Sequence, residues 1–172
     1  SFISGIFSCG SSDNSSTGST STTDSLSGNG VFVVAGLSGN ILKSTDKGSS
    51  FDNATSSTSK NLYEADFGNS TFVVSGDNGT ILKSTDNGSS FDSISTSTTN
   101  TLFGVGFGNN IFAAVGISGS IVKSTDNGVT WDNATSPTAN YLRGIVFGNN
   151  TFIAVGDSGN IVRSDDGSSF DN

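Results

Sequence analysis

Four phenylalanines, Phe32, Phe72, Phe112 and Phe152, stand 40 residues apart, and two sets of glycines keep the same step: Gly36, Gly76, Gly116 and Gly156, then Gly39, Gly79, Gly119 and Gly159. Self-similarity at a fixed period marks a repeat architecture, and an all-β period of roughly 40 to 45 residues points to propeller blades. The 23 glycines, beside a hydrophobic share of 32%, suit tight turns joining short strands. Polar disordered tracts have no reason to place aromatics in constant phase. The predicted fold is therefore all-β, a β-propeller of four-stranded antiparallel blades.

The second unit shows how a blade is written. Four apolar segments, Asn61 to Phe67, Thr71 to Ser75, Thr80 to Ser84 and Ser90 to Ile94, are separated by Gly-, Asn- and Asp-rich turns, the pattern of consecutive hairpins. Phe72-Val73-Val74, Val31 to Ala35, Ile111 to Val115 and Phe152 to Val155 are apolar without alternation, which predicts strands covered on both faces. The first segment instead fixes Leu62, Leu102 and Leu142 and then Phe67, Phe107 and Phe147 while the residues between them vary. That pattern predicts an inner strand beside a central channel.

The third turn carries the most specific motif. Ser44, Asp46, Gly48 and Phe51 are matched by Ser84, Asp86, Gly88 and Phe91 and by Ser124, Asp126, Gly128 and Trp131, all of the form S-x-D-x-G-x-[ST]-[FW]. The fourth copy, Ser164, Asp166, Gly167 and Phe170, is one residue shorter before its glycine, so its turn is predicted to be shortened. The carboxylate can accept backbone N–H bonds within the turn, glycine supplies a positive φ, and the aromatic can enter the blade core. The motif resembles the Asp-box of bacterial neuraminidase repeat propellers. The phased units over 28–172 resemble the photosystem II assembly and stability factor-like repeats of bacterial secreted proteins and lipoproteins. The resemblance implies that the boxes lie away from any catalytic face.

Lys43, Lys83, Lys123 and Arg163 precede the boxes, and Asp52, Asp92, Asp132 and Asp171 follow their aromatics. Setting each box serine opposite its aromatic places these charges opposite one another, which predicts cross-strand ion pairs of about 0.2–1 kcal/mol each. A cationic ring for an anionic ligand is the alternative. The units divide as 28–67, 68–107, 108–147 and 148–172. Counting strands gives about three and three-quarter blades, the first lacking its inner strand; since such rings usually carry 4–8 blades, this reads either as a small four-bladed ring or, the favoured expectation, as a fragment of a larger propeller.

Ile6-Phe7-Ser8-Cys9 resembles the lipobox of bacterial lipoproteins, with Phe7 departing from the usual residue there. Residues 1–9 are read as the tail of a truncated lipoprotein signal peptide with Cys9 as the lipidation site. Residues 10–27, rich in Ser, Thr and Gly, are read as a flexible tether. The alternative is that Phe2 to Phe7 forms a strand. The predicted location is the bacterial cell envelope or the extracellular space, with membrane contact through the lipid alone.

Composition narrows the function. Seven Lys and Arg against 15 Asp and Glu give a net charge of -8, which disfavours nucleic acid. The chain has no His, which removes imidazole bases and the commonest metal ligand; no metal or other cofactor is expected. The resemblance implies that a sialidase would need three arginines, and only Arg143 and Arg163 are present. Glu64 and Asp66, at i and i+2 on one strand face, are the acidic pair outside the periodic set and the catalytic candidates for a glycoside hydrolase. Their counterparts are Gly104 and Gly106, then Gly144 and Val146. The favoured expectation is a noncatalytic, surface-anchored propeller that binds protein or glycan through its loop face. Asn53 to Lys60, Ser93 to Asn100 and Asn133 to Asn140 would line one rim together with Leu37-Ser38, Asp77-Asn78, Ile117-Ser118 and Asp157-Ser158, and Tyr63 and Tyr141 would offer rings to a sugar. A fragment of a secreted Asp-box glycoside hydrolase, or a structural repeat within an adhesin, are the other readings.

Overall fold

The computed structural model describes residues 30–172. The expectations for residues 1–9, Cys9 included, and for 10–27 lie outside the described residues. Among the described residues fifteen strands form four sheets, one per blade. The first holds β1 (Phe32–Ala35), β2 (Ile41–Ser44) and β3 (Asp52–Asn53). The second adds β4 (Thr55–Ser56) to β5 (Leu62–Gly68), β6 (Thr71–Gly76), β7 (Ile81–Ser84) and β8 (Ser90–Ile94). The third runs through β9 (Leu102–Gly108), β10 (Ile111–Gly116), β11 (Ile121–Ser124) and β12 (Asp132–Asn133). The fourth contains β13 (Leu142–Gly148), β14 (Thr151–Gly156) and β15 (Ile161–Ser164), with an antiparallel bridge from Arg163 to Asp171.

Apart from the added β4, neighbouring strands within each blade are antiparallel and sequential, so each blade is a meander. The sequence unit and the blade are out of phase: β5 ends the 28–67 unit yet is the inner strand of the second blade. Blades are tied at their outer edges. β4 leaves the first blade and pairs in parallel with β8 of the second, Thr55 with Ser90 and Ser56 with Phe91. The same crossing recurs where Thr135 N–H donates to the Ser168 carbonyl and Phe170 N–H to that of Thr135.

Side chains that alternate along a strand reach opposite faces, and here the two faces meet different neighbours. Phe72 and Val74 of β6 pack with Val33, Ala35 and Ile41 of the first blade, whereas Val73 packs with Leu102, Val105 and Phe112 of the third. Three cores of one pattern result, each shared between successive blades; the third joins Ala113, Val115 and Ile121 to Leu142, Ile145, Phe152, Ala154, Val162 and Phe170. Burial on both faces is why β6 and β10 read as unbroken apolar runs.

The turns follow the local chemistry. Asn69-Ser70, Asn109-Asn110 and Asn149-Asn150 all have φ between 47° and 61°, the paired left-handed residues of a type I′ hairpin turn. Asp77–Gly79 forms a single 3-10 turn with Asn78 at φ 55°. Gly79, at φ 68°, lies so close to the following loop that a Cβ there would stand 1.9 Å from the Thr98 carbonyl oxygen; only glycine fits.

Candidate functional site

Each inner strand carries one extra residue near its start. Leu62 pairs with Gly76 and Glu64 with Ser75, leaving Tyr63 without an opposite number. Phe103 and Arg143 hold the same position in β9 and β13. Such bulges break alternation and re-aim a side chain, so three blades turn Tyr63, Phe103 and Arg143 to the same rim. There the Tyr63 and Phe103 rings meet edge-on at 5.4 Å, and Phe103 lies 6.4 Å from Tyr141. The Arg143 guanidinium sits 4.8 Å from the Phe103 ring centre and 5.1 Å from that of Tyr141, within cation–π range.

Two aspartates of the adjoining 3-10 turns hold this row. Tyr63 Oη donates to Asp77 Oδ1 at 2.7 Å, and Arg143 grips Asp157 through Nε and Nη2, both at 2.9 Å. Burial and the Asp77 carboxylate raise the Tyr63 phenol above its ordinary range, so it remains a neutral donor at physiological pH. The Asp157 carboxylate is held below its usual range by Arg143. The loops after the outer strands lie beside the row: Ser38 N–H bonds Asn61 Oδ1 and Thr96 Oγ1 bonds the Gly79 carbonyl. An open groove of about 360 Å³ runs between Thr58 and Lys60 on one side and Ser93 to Thr96 on the other.

Glu64 and Asp66 face the next blade. Glu64 Oε2 accepts from Val105 N–H at 3.0 Å, and Asp66 Oδ2 accepts from Phe107 N–H at 2.7 Å while its Oδ1 takes Phe67 N–H at 2.8 Å. The two carboxylates thus supply acceptors for inner-strand amides of β9. Burial, partly offset by the Val105 bond, raises Glu64 to about 7, and the charge of Asp66 adds to the rise. Where Glu64 stands in the second blade the third has Gly104, whose Cβ would come 3.1 Å from Glu64 Oε2 and 3.0 Å from Gly144 Cα, so a side chain there would crowd both neighbours.

The repeated S-x-D-x-G turns close the hairpins at the opposite rim. Asp46 Oδ1 accepts from Ser44 Oγ at 2.7 Å and Ser50 N–H at 2.9 Å, and Oδ2 from Ser50 Oγ at 2.7 Å. Asp86 and Asp126 repeat this with Ser84 and Ser90 and with Ser124 and Thr130. The side-chain and backbone bonds from Ser50, and that from Ser44, lower the Asp46 carboxyl to about 2. Gly48, Gly88 and Gly128 donate N–H to the box serine at 2.8, 3.0 and 2.8 Å. In the shortened fourth copy Asp166 still accepts from Ser164, Ser168 and Ser169. The residue before the glycine, at φ 61–62° in Lys47, Asn87 and Asn127, is gone, and so is the glycine-to-serine bond. Phe91, Trp131 and Phe170 enter the core as expected, but Phe51 is exposed, because the core its ring would enter lies beyond the first blade.

The cross-strand ion pairs require correction. The register is as expected, with Lys43 opposite Asp52, Lys83 opposite Asp92, Lys123 opposite Asp132 and Arg163 opposite Asp171. Yet among the described residues the ion pairs are Arg143 with Asp157 and Arg163 with Asp165. Lys43 Nζ instead reaches Ser89 Oγ of the next blade's box at 2.8 Å, and Lys123 Nζ reaches Ser168 Oγ. For Lys83 the equivalent box position is Val129, which has no hydroxyl to offer. The lysines therefore link blades along the rim, and the exposed aspartates stay solvated, in keeping with the small worth of a surface pair.

No protein-family model and no curated protein matches the chain. Solved structures do. A YCF48 structure bound to a D1 peptide superposes over 82% of this chain and 48% of its own, at 16% identity and TM-score 0.66. YCF48 from Cyanidioschyzon merolae matches over 83% and 51% at 18% identity and TM-score 0.62. An ancestral GH74 enzyme matches over 82% of this chain and 22% of its own, at 18% identity and TM-score 0.68. The chain is a β-propeller. It resembles the photosystem II assembly factor-like repeats in fold, and it spans about half the length of the YCF48 chains it matches.

Of the residues in this row, the sequence singled out Tyr63 and Tyr141 and placed Asp77 and Asp157 on the rim, but missed Phe103 and Arg143. The available signal was that position 63 of the unit changes from Tyr to Phe to Arg while its neighbour Leu62 stays fixed.

Proposed function

We propose that this propeller is a noncatalytic binding scaffold whose contact surface is the row of Tyr63, Phe103, Tyr141 and Arg143, and whose ligand is an extended segment of another protein. The observation that carries this reading is the bulge at one position of three successive inner strands. It presents rings and a guanidinium side by side on the loop rim instead of in a core. Aromatic residues and Arg are the side chains that dominate protein recognition, and the YCF48 neighbour was solved with a peptide bound. Glycan binding is the second reading, favoured by the exposed ring of Tyr141. Glu64 and Asp66 are assigned to blade joining because both accept backbone amides. Surface anchoring through Cys9 belongs to the same proposal.

The test is binding of a displayed peptide library and of soluble oligosaccharides, comparing the wild type with Phe103→Ala. The expected result is peptide capture that falls about tenfold or more in the variant, since truncating a hot-spot aromatic costs more than about 1 kcal/mol. Retention of sugars alone would transfer the row to glycans. Release of reducing ends from a polysaccharide, lost in Glu64→Gln, would establish the hydrolase instead. For the anchor, a diacylglyceryl mass increase that disappears in Cys9→Ser, measured on the full-length product in a bacterium, is the expected result.

A further inference from the structure

The four 3-10 turns begin with Leu37, Asp77, Ile117 and Asp157. Leu37 and Ile117 start the same turn without an acid, so the turn itself does not call for a carboxylate. In the fourth blade the acid is fully answered. Arg143, at the bulge, meets both oxygens of Asp157 at 2.9 Å while its guanidinium lies 4.8 Å from the Phe103 ring centre and 5.1 Å from that of Tyr141. In the second blade the bulge holds Tyr63, which brings a hydrogen bond and no charge. Tyr63 Oη donates to Asp77 Oδ1 at 2.7 Å, and Thr101 Oγ1 donates to the same oxygen at 3.3 Å. Among the described residues no donor reaches Asp77 Oδ2 and no cation pairs with this carboxylate.

The molecule thus carries one place where a cation lies on aromatic rings against a turn aspartate, and another, two blades earlier, that has rings and an aspartate without the cation. We propose that the partner segment supplies it: a Lys or Arg side chain whose charged end meets Asp77 Oδ2 and whose stem lies along the Tyr63 and Phe103 rings. This rests on the reading of the row as a peptide-binding surface and names the residue type that the surface selects. The chemistry is that of Arg143 on its own rings, a cation held by a carboxylate and by the negative faces of aromatic side chains. Long basic side chains suit it because their stems cover apolar surface while the charge stays at the tip. Asp77, Tyr63 and Phe103 are all half-buried, so the pairing is screened less than one on the open surface. The net charge of -8 draws a basic segment toward the protein before contact.

Selection of a displayed random-peptide library on the wild type and on Asp77→Asn tests it, followed by titration of the most strongly captured peptide with its basic residue replaced by norleucine, which keeps the stem and removes the charge. The expected result is Lys or Arg enriched at one peptide position on the wild type and not on the variant. Norleucine should weaken binding about tenfold or more on the wild type, the scale of a hydrogen bond to a charged group, and less than about twofold on Asp77→Asn. Asparagine keeps an acceptor for Tyr63 Oη, so the circular dichroism of the variant should match the wild type. Should the variant fail to fold, the wild-type selection and the norleucine comparison decide by themselves. Captured peptides without a basic preference, a norleucine peptide that binds as well as its parent, or a preference that persists in Asp77→Asn overturns the inference and leaves the row as a peptide surface. Retention of sugars with no peptide captured overturns the reading of the row, and this inference with it.

Discussion

The two rims of this propeller differ in how strictly they repeat. At the box rim the serine-to-aspartate bond recurs at 2.7, 2.7, 2.8 and 3.0 Å in the four copies, even where the turn has lost a residue. At the other rim the bulge presents Tyr63, then Phe103, then Arg143. The cause is physical. Every box turn holds amides that must find an acceptor, so the same carboxylate is needed each time. The bulge side chains point out of the sheet and fill no core, so folding leaves their chemistry open. Positions that vary between blades of one chain are therefore where a specific ligand can be met.

The largest expected effect falls on the strictly repeated side. Phe91→Ala removes a buried ring and should cost about 3–5 kcal/mol, read as a lower Tm in thermal denaturation. Phe51→Ala, at the same box position but exposed, should cost less than about 1 kcal/mol. Equal losses would break the comparison, because they would mean that box aromatics act within their own turn and not through the blade that follows.

Glu64 comes next, since it breaks the repeat yet lies inside it. Its folded value of about 7 stands above the ordinary 4.5, so between these values the folded state holds more protons than the unfolded one. Stability from this residue is then present at pH 4 and below and is lost as pH rises through 7. Glu64→Gln keeps an acceptor for Val105 N–H without the charge. It should raise stability by at most about 3 kcal/mol at pH 8 and leave it nearly unchanged at pH 4, measured by urea denaturation at both pH values. A loss at pH 8 would show that the charged form is what joins the blades.

The box carboxylates have the opposite sign and a smaller effect. Asp46 is lowered from 3.8 to about 2, so its contribution is complete above pH 4 and disappears as pH falls toward 2. Asp86→Ala, which strips acceptors from the Ser89 and Ser90 amides, should cost about 1 kcal/mol at pH 7 after allowance for screening. Its acid unfolding curve should be flatter than that of the wild type.

The fold was legible because period, box and apolar runs all follow from local needs of the backbone. The register of the Lys and Asp positions was legible for the same reason, but their partners were not. Lys43 and Lys123 reach the next blade, and whether a hydroxyl waits there depends on Ser89 and Ser168 against Val129, a contact between units and not within one. The row was hidden likewise. Alternation places residues two apart on one face, whereas a bulge at Tyr63, Phe103 and Arg143 shifts them off it, and no single-strand pattern announces the shift. Glu64 and Asp66 read as a catalytic pair because the amides they meet, Val105 and Phe107, lie 41 residues away.

The smallest expected effect on folding belongs to Arg143, and it sharpens the comparison most. Arg143 is exposed and its bond to Asp157 lies in solvent, so Arg143→Ala should leave Tm unchanged within the error of thermal denaturation. Its removal also uncovers the faces of Phe103 and Tyr141, which the guanidinium now spans. If the row serves recognition, the same variant should lose peptide capture while Lys in its place restores only part of it, because a compact ammonium lacks the planar stacking surface. A fall in Tm as large as that of Phe91→Ala would instead make Arg143 part of the fold, and the distinction between a rim that repeats for structure and a rim that varies for binding would not hold.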